Sequence, residues 1–256
     1  MKDQKAKERM TPFDYSGKQA LVIGGSTGIG NAIAQMFRQC GASSHVTGTR
    51  THASDYSPSD LSNMEGLSYS QLDLSHPDAL SQWDHGFEAL DALVICHALS
   101  LFNGEEFEAD VFRNVVEINL NSVFDCAQRF KPMLAPTKGS IVIVSSLAAY
   151  RTIPMQPAYT ASKSALLGLV RALSMAYVKE GVRVNGLAPG LVETKMGKAG
   201  HPDFSELVKK TVRRIPARRT ADPSEMAGPA LFLCSPLASY IIGQTLVVDG
   251  GMSLTS

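Results

Sequence analysis

The sequence predicts one α/β domain, doubly wound, with a mostly parallel seven-stranded sheet and helices on both faces. Three observations carry this reading. Seven short strand-like runs recur along the chain, at 19–23, 44–49, 67–72, 92–95, 141–146, 182–188 and 244–248, and runs of this length between turn residues read as strands. Segments with apolar residues at helical spacing separate most of them, the alternation that yields parallel strands. A glycine-rich turn, Gly24-Gly25-Ser26-Thr27-Gly28-Ile29-Gly30, joins the first run to the first helical segment.

Composition narrows the function classes. The 256 residues are 44% hydrophobic and 19% charged, enough apolar material for one large core. The 24 basic and 24 acidic residues cancel, which gives no electrostatic pull toward nucleic acid or an anionic membrane. Cys40, Cys96, Cys126 and Cys234 stand far apart and read as buried apolar residues in a reducing, cytoplasmic setting. No metal-ligand spacing is present among them or the histidines. Residues 1–16 open with the charged stretch MKDQKAKERM and read as a flexible tail before a domain spanning 17–256.

Gln19–Ile23 forms the first strand, and Ile29, Ile33, Met36, Phe37 and Cys40 give the following helix its apolar stripe, closed by Gly41. Glycines at 24, 28 and 30 allow a tight turn and close backbone approach, and the helix N-terminus offers N–H groups to a phosphate. Ser26, Thr27 and Ile29 complete that cradle. At the end of the second strand stand Thr49 and Arg50. A cation beside hydroxyls suits a 2′-phosphate, where a carboxylate would suit a ribose hydroxyl. NADP is therefore the expected cofactor, with NAD the alternative.

Asp73 and Leu74 follow the third strand; the Asp suits either an adenine amino group or a local turn. The fourth strand exits through Cys96-His97-Ala98-Leu99-Ser100. His97 has no carboxylate beside it in sequence and reads as a packed, hydrogen-bonding residue. Asn119 lies inside a long helical pattern, where Asn alone reads as a packing or solvent-facing residue.

The fifth strand ends at Ser146, and Pro157 then opens a helix carrying Tyr159 and Lys163. Residues four apart share one helical face. An ammonium near a phenol lowers its pKa from about 10, so Tyr159 is the candidate general acid/base, Lys163 its tuner, and Ser146 the donor that holds a substrate oxygen.

These motifs resemble the short-chain dehydrogenase/reductase family, over almost all of residues 17–252. Gly24…Gly28-Ile29-Gly30 resembles its cofactor turn, Asn119-Leu120-Asn121 its N-x-N segment, and Ser146, Tyr159 and Lys163 its catalytic positions. The resemblance implies a Rossmann-type fold, a proton-relay role for Asn119, and a ribose contact for Lys163. It also implies that the turn Pro189-Gly190-Leu191-Val192-Glu193-Thr194 holds the nicotinamide carboxamide through Pro189, Gly190, Val192 and Thr194. Ala98 lies in the segment that replaces the family's N-N-A-G, an alteration around the cofactor ribose.

Residues 190–220 correspond to a substrate lid in that family. Expected pocket residues are Ser100, Leu147, Ala148, Arg151, Met155 and Leu191, with Arg151 positioned to read an acid group. The implied activity is hydride transfer between a nicotinamide and a small ketone or secondary alcohol, in a dimer or tetramer. The rivals are an NAD-dependent alcohol or sugar dehydrogenase and a dinucleotide-binding regulator without turnover.

Overall fold

The computed structural model describes residues 13–194 and 204–255, with no account of the side chains at 204–207. Seven strands form one sheet: β1 (Gln19–Ile23), β2 (Ser43–Gly48), β3 (Ser68–Gln71), β4 (Ala92–Ile95), β5 (Ser140–Val144), β6 (Arg183–Pro189) and β7 (Thr245–Val248). Their order is β3-β2-β1-β4-β5-β6-β7. Every pairing is parallel, where the sequence indicated only a mostly parallel sheet. Parallel neighbours need crossovers, and helices supply them.

Strand residues alternate between two cores. Ala20, Val22, Val94, Val142 and Val144 face one layer, which holds α1 (Gly28–Gln39) and α7 (Ser224–Cys234). Leu21, Ile23, Leu93, Ile95, Ile141 and Ile143 face the other, which holds α4 (Ser122–Leu134) and α5 (Pro157–Tyr177). This is the two-sided burial that makes parallel strands apolar throughout. Three further helices are α2 (Ala79–Gln82), α3 (Ala109–Val116) and α6 (Phe204–Val212). Between α3 and α4 the chain forms a π-turn at Glu117–Asn121.

Residues 13–16 fall in the stretch the sequence assigns to the tail, and Tyr15 there packs on the core. Tyr15 is buried at 5% exposure. It packs edge-on against Phe37, with ring centroids 4.9 Å apart, and donates its hydroxyl to the Leu231 carbonyl at 2.6 Å. Residues 1–12 of the expected tail and 195–203 of the expected lid lie outside the described residues. Arg183 fastens the end of α7, donating to the carbonyls of Leu233, Cys234, Ser235 and Ala238.

The order reverses between β1 and β4. At such a switch point the loops leaving the strand ends part and open a crevice.

Candidate active site

A cavity of about 760 Å³ occupies that crevice. Its walls run from the β1–α1 glycine turn, past Thr49, Arg50, Asp73 and Leu74, to Ser146, Tyr159 and Lys163. The turn after β6, with Pro189, Gly190, Val192 and Thr194, closes one side.

The glycine turn is shaped by close approach. Gly24 has φ +75°, and a Cβ there would come within 2.6 Å of the His97 backbone nitrogen. At Gly30 it would meet the Gly24 carbonyl at 2.3 Å. Gly28 differs: a Cβ there would meet only the Thr194 side chain, at 3.5 Å. The first turn of α1 carries no acidic residue, and its cap Thr27 makes no side-chain capping bond. This arrangement suits an anion.

The chemistry lies on β5 and α5. Ser146 follows β5, where its hydroxyl accepts the Ala148 N–H at 3.1 Å and lies close enough to the Tyr159 phenol to lower its pKa. Lys163, 2% exposed, donates to the Val144 carbonyl at 3.0 Å, with its nitrogen 5.7 Å from the Tyr159 ring centre. Burial raises the Tyr159 pKa and outweighs the lowering by Ser146. Burial also brings Lys163 down to about 8. The expected lowering of the phenol by the ammonium is therefore not met in this structure. Desolvation is the leading influence on both groups.

Asn119 stands in the π-turn, fully buried. Its carboxamide accepts the Leu99 N–H and donates to the Leu99 carbonyl, both at 2.7 Å, and also donates to the Ser162 hydroxyl at 3.2 Å. The side chain thus holds the β4 exit against α5. His97 is likewise structural: its Nε2 lies 3.1 Å from the Ile118 carbonyl and 2.8 Å from the Ser122 hydroxyl. A carbonyl only accepts, so Nε2 carries the proton. Burial holds this imidazole neutral, at about 4. Its Nδ1 is a buried acceptor without a partner, on a residue of the cavity wall.

Other expectations resolve unevenly. Asp73 lines the cavity, and its carboxylate accepts the Ser75 N–H at 3.0 Å in a local turn. Arg151 does not line the cavity; its guanidinium donates to the Met252 carbonyl at 2.6 Å. Its sequence position beside the β5 exit gave no sign of that distant partner. Leu147, Ala148 and Met155 are also absent from the walls, whereas Ser100 and Leu191 are present. Phe102, Asn114, Ile118, Ile153 and Gln156 also line the cavity. Gln156 lay in the connector before α5 but carried no signal of its own.

Glu106 carries no signal of its own in the sequence. This carboxylate is fully buried and accepts the backbone N–H groups of Leu101 and Tyr159. In sequence it is one of three glutamates within four residues. Among the described residues, no group of three or more His, Cys, Asp or Glu side chains is placed to hold a metal.

A family profile described as Enoyl-(Acyl carrier protein) reductase matches residues 24–253. The 3-oxoacyl-(acyl-carrier-protein) reductase FabG of Chlamydia muridarum is 36% identical over 247 residues, covering 92% of this chain and 97% of that protein. The chain belongs to the short-chain dehydrogenase/reductase family.

Two further comparisons agree. The 2-dehydro-3-deoxy-D-gluconate 5-dehydrogenase of Bacillus subtilis is 32% identical, over 93% of this chain and 96% of that one. A solved structure from Beutenbergia cavernae, assigned as an NAD(P)-dependent gluconate 5-dehydrogenase and holding NADP at low occupancy, superposes with a TM-score of 0.83. It is 32% identical and covers 96% of this chain and 100% of its own. The protein is thus an NAD(P)-dependent oxidoreductase acting on CH–OH or ketone groups. The cavity fits such a dinucleotide: glycines bring backbone to its wall, and the orphaned His97 Nδ1 can accept from a ribose hydroxyl.

Proposed function

We propose that the protein reduces a small ketone, or oxidises the matching secondary alcohol, with NADP as the favoured cofactor. The observation that carries this is the meeting of the Ser146 hydroxyl, the Tyr159 phenol and buried Lys163 in the cavity that begins at the glycine turn. When bound, the reduced nicotinamide supplies the hydride.

In this reading Ser146 donates to the substrate carbonyl oxygen and fixes its distance from Tyr159. The phenol, kept protonated by burial, gives its proton to that oxygen as it gains negative charge. Lys163 keeps a positive charge beside the phenol and supports its anion after transfer. Asn119 acts by holding Leu99 and Ser162 in place around this centre.

Gly24, Ser26, Thr27, Gly28, Ile29 and Gly30 would hold the pyrophosphate, and Thr49 and Arg50 the 2′-phosphate. Asp73, Leu74 and Ala98 would contact the adenosine side, and Pro189, Gly190, Val192 and Thr194 the carboxamide. The substrate end mixes Phe102, Ile118 and Ile153 with Ser100, Asn114 and Gln156. That lining suits a carbonyl compound with one apolar and one hydroxyl-bearing side.

A homo-oligomer is part of the same proposal. Leu237, Tyr240 and Leu254 are 69%, 100% and 88% exposed, and solvent-facing apolar residues of this size suit a subunit contact. Among the described residues, no helix is long and apolar enough to cross a membrane.

A panel of ketones and alcohols, followed by the absorbance of the reduced nicotinamide, tests the reading. Turnover with ketones and NADPH supports it. Binding of either dinucleotide with no turnover across the panel would favour the non-catalytic rival. A second reading, use of NAD, is favoured by one observation: Arg50 is already paired with Asp60.

A further inference from the structure

The loop between β2 and β3 places a second charge beside the expected phosphate cation. Arg50 lines the cavity, and its two terminal nitrogens each bond one oxygen of the Asp60 carboxylate at 2.9 Å. Its guanidinium lies over the Tyr56 ring, 4.5 Å from the centroid. Tyr56 is itself fixed, its hydroxyl accepting the Arg50 N–H at 3.0 Å.

Asp60 is no loose surface acid. It is 7% exposed, closes the short turn Pro58–Asp60, and accepts the Ser57 N–H at 3.2 Å and the Ser57 hydroxyl at 3.3 Å. The next residue, Leu61, takes the Gly28 N–H on its carbonyl at 2.9 Å. Asn31 and Gln35 of α1 both donate to the Asn63 carbonyl, at 3.0 and 2.7 Å. The turn bearing Asp60 is therefore clasped to the glycine turn and its helix.

We infer that Asp60 is a specificity-determining residue: by pairing fork to fork with Arg50, it sets how strongly the site prefers an adenosine with a 2′-phosphate over one with a 2′-hydroxyl. The inference rests on the dinucleotide reading of the cavity. A phosphate must compete with the carboxylate for the same two nitrogens, or bind with that carboxylate close by. Forked charge-assisted pairs are the strong ones, and breaking one leaves a buried carboxylate without its partner. A 2′-hydroxyl faces neither cost. With the carboxylate charge removed, Tyr56 and the Asp55 carbonyl still hold the guanidinium in place, and the N–H groups that face Asp60 become available to phosphate.

The experiment measures dissociation constants for 2′,5′-ADP and 5′-AMP by calorimetry, which needs no turnover. Asp60→Asn is expected to tighten 2′,5′-ADP binding by about tenfold or more and leave 5′-AMP within about twofold, as loss of one opposed charge at a forked site implies. Asp60→Ser, which keeps an acceptor for Ser57, is expected to move the ratio the same way. In an Arg50→Gln background, Asp60→Asn should change nothing, because the effect runs through the guanidinium. A ratio unchanged in folded Asp60→Asn and Asp60→Ser, or the same gain without Arg50, overturns the inference. Failure of wild type to bind either nucleotide would instead overturn the dinucleotide reading.

Discussion

Glu106 accepts the backbone N–H of Tyr159 at 2.9 Å, at the start of the helix that carries the candidate acid. Its other oxygen accepts the Leu101 N–H at 3.1 Å. One buried carboxylate thus joins the loop leaving β4, which supplies Ser100 and Phe102 to the cavity, to the first turn of α5. A negative charge there also complements the positive end of the helix.

Glu106→Gln keeps the shape but has one carbonyl oxygen for two N–H donors. It is expected to lower unfolding free energy by about 1–3 kcal/mol, the cost of an orphaned buried group. Exposed Glu105→Gln should stay within about 0.5 kcal/mol of wild type. Denaturant titration reads both. Equal stability of the two variants would mean that the carboxylate does not tie the loop to the helix.

Tyr159→Phe removes the proton donor and leaves the ring. Turnover is expected to drop by about 10²- to 10⁴-fold, the usual contribution of a positioned acid, with nucleotide affinity nearly unchanged. Ser146→Ala differs, because Ser146 also caps the turn Leu147–Ala149 through the Ala148 N–H. It should lose turnover and also about 1 kcal/mol of stability. Steady-state kinetics beside thermal melting separates the two; a Tyr159→Phe variant with wild-type turnover would remove Tyr159 from its role.

What the sequence disclosed, and what it withheld, follows contact range. β1 and β4 match their sequence readings residue for residue, because parallel strands buried on both faces read as apolar runs. The other strands shift by a residue or two at their ends, where polar residues flank the run. The spacing of Tyr159 and Lys163 is local and could be read directly. The Arg50–Asp60 pair, the Glu106–Tyr159 bond and the turn of Arg151 toward Met252 join residues 10, 53 and 101 positions apart. No periodicity encodes such pairings. Asn119 shows both limits: its link to the site came only from the family resemblance, and its grip on Leu99 only from the fold.

Gly24 and Gly28 should separate fold from function. Both have positive φ, which Ala disfavours by about 1–2 kcal/mol. At Gly24 the added methyl also strikes the His97 backbone, and backbone cannot turn aside as a side chain can. Gly24→Ala is therefore expected to destabilise by more than about 2 kcal/mol, strain and overpacking together. Gly28→Ala should cost stability only through its φ, yet place a methyl in the cavity opposite Thr194 and weaken dinucleotide binding. Melting temperatures and nucleotide titrations of the two variants test this, and equal losses of stability would contradict it.

Lys163 gives a prediction that depends on pH. Burial brings its pKa from 10.5 down to about 8, and it is 2% exposed, so solvent screens it little. Below about pH 8 both native and unfolded chains hold the proton, and the native state carries the full cost of the buried ammonium. Above that point the native lysine releases its proton while the unfolded one keeps it. The unfolded state then binds more protons, and stability rises with pH. Lys163→Met lacks this titration. Its Val144 carbonyl loses a donor, but that cost does not change with pH. Wild-type unfolding free energy, measured against Lys163→Met, should therefore climb by about 2 kcal/mol between about pH 8 and pH 10. Denaturant titrations of both proteins across that window provide the measurement. A flat difference would mean that the ammonium is hydrated in solution, and the buried charge placed beside Tyr159 would no longer stand.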